Sequence, residues 1–140
     1  FVCAVVDASR LYVANIGDSR LYVLDRDTIR QITLDHSLVE ELIRTGQLDP
    51  LKVRNHPEKN IITRALGANE EAIPDFFEIE LHMDEKILMC SDGLSNMVED
   101  DEIQNIIIEA EQPEAAVIRL IDRANYYGGK DNIAALVVAQ

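Results

Sequence analysis

The sequence predicts an α+β domain built on mostly antiparallel sheets, and three observations predict it. Short apolar, β-rich runs alternate with turns rich in Gly, Asp and Ser through the first third of the chain. Two later segments carry apolar residues at helical spacing, and one more apolar run, 133–139, follows them. Strands, then a helix, then strands, two helices and a strand is the order of an α+β fold. The 140 residues are 47% hydrophobic and 28% charged, which is enough apolar surface for a core and too much for a disordered chain.

Val2–Asp7 reads as a strand, Ala8-Ser9-Arg10 as a turn and Leu11–Ile16 as a second strand. Gly17-Asp18-Ser19 turns into a third, Arg20–Leu24, and Asp25-Arg26-Asp27 leads to Ile29–Thr33, so the opening reads as one meander. Asp35 or Ser37 is placed to cap a short amphipathic helix, Leu38–Thr45, which Gly46 ends. Gln47–Asn60 has two prolines, three basic residues and no clean period, and reads as a surface flap. A short extended piece, Ile61–Leu66, closes on Gly67. Ile73–Leu81 and Lys86–Cys90 read as strands joined by a hairpin around His82–Glu85. After the turn Ser91-Asp92-Gly93, Leu94–Val98 is a short helical piece. Asp100 or Asp101 then caps a helix with its stripe on Ile103, Ile106, Ile107 and Ala110. Pro113 opens the next helix, with Val117, Leu120, Ile121 and Ala124 on one face and Gly128-Gly129 at its end.

Charge and cysteine content exclude several classes. The net charge is −13, which argues against nucleic-acid binding. Residues 1–70 hold 9 basic and 10 acidic groups, and residues 71–140 hold 4 and 16, so the surplus lies in the second half. Most of these acids fit solvated helix ends, as in Glu99-Asp100-Asp101-Glu102, where they complement the helix dipole. No apolar run approaches the roughly 20 residues of a membrane span. Cys3 and Cys90 both lie in apolar runs, so the reading is two buried free thiols in a reducing compartment, the cytoplasm.

Three aspartates share one setting. Asp18 follows Gly17 at the end of a strand, Asp92 precedes Gly93 at the end of another, and Asp131 precedes the last strand. Each alone is an ordinary turn residue. Together, at one edge of an antiparallel core, they would repel unless a hard cation neutralised them, and an all-oxygen set suits Mg²⁺ or Mn²⁺. A cysteine phosphatase is disfavoured because the segment after Cys90 lacks the arginine of a phosphate loop, and the thiol ends an apolar strand. Gly128-Gly129-Lys130-Asp131 lacks the spacing of a nucleotide loop. His36, His56 and His82 lack zinc spacing, and no serine shows a histidine-based activation.

At these turns the sequence resembles a known family. Ala14-Asn15-Ile16-Gly17-Asp18-Ser19-Arg20, Asp35-His36-Ser37, Ile62-Thr63-Arg64-Ala65-Leu66-Gly67, Cys90-Ser91-Asp92-Gly93-Leu94 and Lys130-Asp131-Asn132-Ile133 occur in the order found in PP2C (PPM) metal-dependent serine/threonine phosphatases of the bacterial type. The resemblance implies a β-sandwich of antiparallel sheets flanked by helix pairs, and hydrolysis of phosphoserine and phosphothreonine on proteins by a metal-bound hydroxide. It implies a binuclear Mn²⁺/Mg²⁺ centre on Asp92 and Asp131, and a third metal on Asp18 shared with Asp92. The flap, 47–60, matches the mobile segment linked to substrate, and Asp35 and His36 at its base are further candidates for touching substrate.

The family's N-terminal motifs are absent: the phosphate-binding Arg, an early acidic residue, and the Asp-Gly pair whose Asp bridges both metals. The expectation is therefore the C-terminal portion of one domain, with half of each sheet and one helix pair missing, an apolar face exposed, and no activity by itself. A dimer or swapped assembly would cover such a face. Partners implied by the resemblance are phosphorylated proteins, substrates of a cognate Ser/Thr kinase. Two rivals are a non-catalytic phosphatase-like interaction module and a signalling phosphatase of the same superfamily dedicated to one partner.

Overall fold

The computed structural model describes residues 1–68 and 70–139, the side chains of 54 and 55 excepted. Among the described residues seven strands form two antiparallel sheets. β1 (Val2–Asp7), β2 (Arg10–Asn15) and β5 (Asp75–Glu80) make one, in the order β1-β2-β5. β3 (Arg20–Leu24), β4 (Ile29–Gln31), β6 (Lys86–Cys90) and β7 (Ala135–Val138) make the other, in the order β4-β3-β6-β7. The helices that accompany them are α1 (Leu38–Arg44), α2 (Asp92–Ser95), α3 (Asp100–Glu109) and α4 (Pro113–Tyr126). A 3-10 turn, Pro50–Asn55, lies in the flap.

The α+β class and antiparallel pairing hold, but the opening is not one meander. β2 and β3 belong to different sheets, and so do β5 and β6, so the link around His82–Glu85 is a crossover rather than a hairpin. Alternation tells which face of a strand is buried and says nothing about which strand lies beside it. A stronger clue was in β3, where Leu21 to Leu24 are all buried, as a strand covered on both faces must be.

That two-sided burial defines the layers. Leu21 and Val23 face Leu11 and Val13 across the sandwich, with Ile87 and Leu81 beside them. Tyr22, Leu24, Leu88 and Cys90 point the other way, onto Ile103 and Ile107 of α3 and Ala116, Leu120 and Ala124 of α4. The outer face of the three-stranded sheet has no such cover. Register places Cys3 opposite Ala14 and Val5 opposite Tyr12 there, and Phe76 is 76% exposed. Cys3 is therefore an exposed thiol, not a buried one; only Cys90 is buried. The apolar run around Cys3 gave its strand correctly but could not reveal that one face lacks a partner layer.

Smaller differences follow the same logic. Ser37, rather than Asp35, caps α1 by accepting from the Glu40 N–H at 3.3 Å. The N-cap of α3 is Glu99, rather than Asp100 or Asp101, and it makes no side-chain cap bond. The expected extended piece 61–66 contributes one bridge, Ser37 to Ile62. Among the described residues no helix is long and apolar enough to cross a membrane.

Candidate metal centre

The loop-strand junctions that carry the three aspartates meet at one end of the four-stranded sheet. Asp92 begins α2 directly after β6, and Asp131 lies in the loop before β7, the neighbouring strand. Ser91 staples these two together. Its N–H donates to the Ala134 carbonyl at 3.0 Å, its hydroxyl donates to the Asn132 carbonyl at 2.9 Å, and the same hydroxyl accepts from the Ala134 N–H at 3.0 Å. Gly93 makes the approach sterically feasible, because a Cβ there would sit 2.3 Å from the Asn132 carbonyl oxygen. The Ser-Asp-Gly sequence thus has a packing reason as well as a chemical one.

Asp18 arrives from the link between the sheets. Gly17 precedes it at φ +108°, a backbone region that L side chains rarely adopt. Asp18 and Asp92 line one cleft of about 400 Å³ together with Arg20, Asp35 and Lys59. Asp131 is exposed beside this cleft and accepts from its neighbour's N–H, Asn132, at 2.7 Å.

The electrostatics are those of crowded carboxylates. Burial pushes the Asp92 carboxyl above the usual aspartate range, and the charges of Asp18 and Asp131 push it further. Burial likewise raises Asp18, with a smaller contribution from Asp35. Asp35 itself is held by Arg20 through three contacts of 2.7–3.0 Å, and the Arg20 guanidinium also donates to the Tyr22 hydroxyl at 2.9 Å. Arg20 is thereby fixed in the wall of the cleft, and Asp35 serves first to hold it.

Among the described residues no group of three or more His, Cys, Asp or Glu side chains closes around a single point as a metal cage. Asp18, Asp92 and Asp131 feel one another's charge without completing a coordination sphere. In donor chemistry the set suits a hard divalent cation: it is oxygen only, and Asp18 and Asp92 are raised first by burial and then by neighbouring carboxylates.

Several residues that shape the site carried no local signal. Glu99, Asp100 and Asp101, read as a solvated helix start, line the cleft, as does Glu40. Helical periodicity showed that they avoid the core but not that α3 begins beside α2. His36 is 3% exposed and is not among the residues lining this cleft. Both its ring nitrogens are occupied, one by the Gly17 N–H at 3.1 Å and one by Asp75 at 3.0 Å. Asp75 carries one hint in the sequence, a charged residue at an inward-facing register, opposite the buried Asn15.

A family model, "Protein phosphatase 2C", matches residues 1–133. This chain belongs to the protein phosphatase 2C family. It is 43% identical over 137 residues to the serine/threonine phosphatase stp of Listeria welshimeri, covering 98% of this chain and 54% of that protein. It is 40% identical over 138 residues to the protein phosphatase PhpP of Streptococcus pneumoniae, covering 99% and 56%. The crystal structure of the serine/threonine phosphatase Stp1 from Staphylococcus aureus matches with a TM-score of 0.95 and 37% identity, over 99% of this chain and 55% of that one. The catalytic domain of the phosphatase PstP in complex with two manganese ions matches at 0.84 and 32%, over 96% and 55%. The chain therefore spans about half the length of the protein phosphatase 2C relatives it matches.

Proposed function

We propose that this chain is the C-terminal portion, residues 1–140, of a single phosphatase domain that removes phosphate from phosphoserine and phosphothreonine on proteins. Its substrates would be the products of a cognate Ser/Thr kinase in the cytoplasm. The observation that carries the reading is the meeting of Asp18, Asp92 and Asp131 at one sheet end, where the charges of Asp18 and Asp131 both act on the half-buried Asp92. Asp92 and Asp131 would hold a binuclear Mn²⁺ or Mg²⁺ centre, and Asp18 with Asp92 a third ion. When bound, these ions supply a water of lowered pKa and positive charge opposite the phosphoryl oxygens.

The remaining work falls to the chain's own residues. Ser91 and Gly93 hold the loops that carry Asp92 and Asp131 close against each other. Asp35 and Tyr22 keep Arg20 in the wall. The flap, 47–60, brings Lys59 to the cleft, where an ammonium group can meet an anionic substrate. No protein nucleophile is needed for this chemistry.

The test is Mn²⁺-dependent hydrolysis of p-nitrophenyl phosphate and of a phosphothreonine peptide. The intact protein turns both over, a chelator stops it, and Asp92→Ala lowers the rate by at least about a hundredfold, more than loss of an outer-shell partner costs. The 140 residues alone, which lack a metal-bridging Asp-Gly pair, remain silent under the same conditions. A second reading, a phosphatase-like module that binds without hydrolysing, draws on the open ligand set among the described residues. Turnover by the intact protein removes that alternative, and its absence at saturating Mn²⁺ would establish it.

A further inference from the structure

His36 makes four hydrogen bonds that tie three distant segments together. Its N–H donates to the Gly17 carbonyl at 2.9 Å, and its carbonyl accepts from the Thr63 N–H at 2.8 Å. Its ring Nδ1 accepts from the Gly17 N–H at 3.1 Å, and its Nε2 lies 3.0 Å from Asp75 Oδ2. A backbone N–H can only donate, so Nδ1 must present its lone pair. The ring proton then sits on Nε2 and is donated to Asp75.

Both polar groups of the Gly17 backbone therefore meet His36, and the carbonyl also accepts from Asn15 Nδ2 at 3.4 Å. The peptide that leads into Asp18 is set by His36, at a φ that no neighbouring side chain would hold by preference. Asp75 is in turn secured from its other oxygen, which accepts from Arg64 at 2.9 Å, and Arg64 also donates to the Ile73 carbonyl at 3.2 Å. The hydrogen bond from His36, together with Arg64, keeps the Asp75 carboxyl below the usual range and so anionic, the better acceptor. Thr63 and Arg64 belong to the stretch by which the chain returns from the flap.

We propose that His36 is a positioning residue for Asp18: its Nδ1 orients the Gly17 peptide, and Asp75 with Arg64 locks the ring in the Nε2–H tautomer that makes this possible. The turn that carries Asp18 is thus fastened to the segment returning from the flap. The inference rests on reading Asp18 as a metal ligand. It goes beyond that reading in assigning a task to three residues that touch neither metal nor substrate.

Two measurements on the intact protein test it. First, ¹⁵N NMR of the unmutated protein should show His36 with Nδ1 bare and Nε2 protonated, together with slow hydrogen exchange at the Gly17 amide. Protonation at Nδ1 overturns the proposal. Second, His36→Asn and His36→Gln separate the two ring contacts, because an Asn oxygen can stand near Nδ1 and a Gln amide near Nε2. Mn²⁺ binding is followed by the electron spin resonance of the free ion, and the class of site at issue is the one lost in Asp18→Asn. His36→Gln should weaken that class by about 10–100-fold, the range for outer-shell partners, while His36→Asn stays much closer to the parent. Equal weakening by both variants, or by neither, overturns the role of His36 alone. Equal Mn²⁺ binding by the parent and Asp18→Asn overturns the metal reading of Asp18, and the positioning role with it.

Discussion

Asp92 is the residue at which burial and like charge act in the same direction, and the sign of the consequence can be worked out. A carboxyl raised above its unfolded value makes the folded state bind the extra proton, so stability falls as pH rises from the ordinary aspartate range through the raised value. Asn at this position keeps an oxygen to accept from Asn96 Nδ2, which lies 3.3 Å from Asp92 Oδ2, and removes the charge. In chelator at pH 7, Asp92→Asn should therefore melt a few degrees above its parent. The gap should close as pH is lowered past about 4, where the parent's carboxyl is neutral too. In millimolar Mn²⁺ the order should reverse, because metal bound to the folded parent raises its melting temperature and the variant has lost a ligand. Differential scanning calorimetry in both buffers checks this, and a variant less stable than its parent in chelator would contradict it. Asp92 was legible in the sequence because Gly93 marks a turn at a strand end, although the space beside that glycine is taken by the Asn132 carbonyl. Asp75 was not, because its importance comes from a partner 39 residues away.

At the scale of elements, the turn between β1 and β2 retains a correctable strain. Ala8 adopts φ +52°, a left-handed conformation that costs a residue with a Cβ roughly 1–2 kcal/mol. Ala8→Gly should thus stabilise the chain by about 1 kcal/mol, read as a higher urea midpoint with an unchanged slope. The pairing of Asp7 with Arg10 places the substitution in an exposed two-residue loop, well away from the cleft. The two longer helices, α3 and α4, were legible almost residue by residue, since Ile103, Ile106, Ile107 and Leu120, Ala124 keep one face. The short α2 instead begins at Asp92, inside the expected turn, and ends at Ser95 rather than Val98. Strand partners were less so. The links 17–19 and 82–85 each carry the chain from one sheet to the other, and a tight turn has the same local composition whether it closes a hairpin or crosses the sandwich. The cleft depends on both crossings, so its walls could be anticipated only through the resemblance.

On the scale of the whole molecule the two sheets are unequally clothed. One is covered by α3 and α4, while the other presents Val5, Tyr12 and Phe76 at 40–76% exposure. The two thiols report this asymmetry. Cys3 lies on the bare face, whereas Cys90 is buried against the helices, which pushes its thiol up to about 12. Under native conditions Ellman's reagent should modify one thiol per 140-residue chain quickly and the second only on unfolding. Cys3→Ser abolishes the fast phase, and two equally fast thiols would mean that the helix layer is not packed. A last consequence follows from the root of the flap. The Leu38 N–H donates to the Ile61 carbonyl at 2.9 Å and Ser37 bridges Ile62, so the excursion leaves and rejoins the body at a single point. An appendage closed at its base can change in length or sequence with little change in the rest, since closure entropy grows only slowly with loop size. The flap is in that sense an interchangeable cassette: it can be exchanged while the aspartates stay where they are.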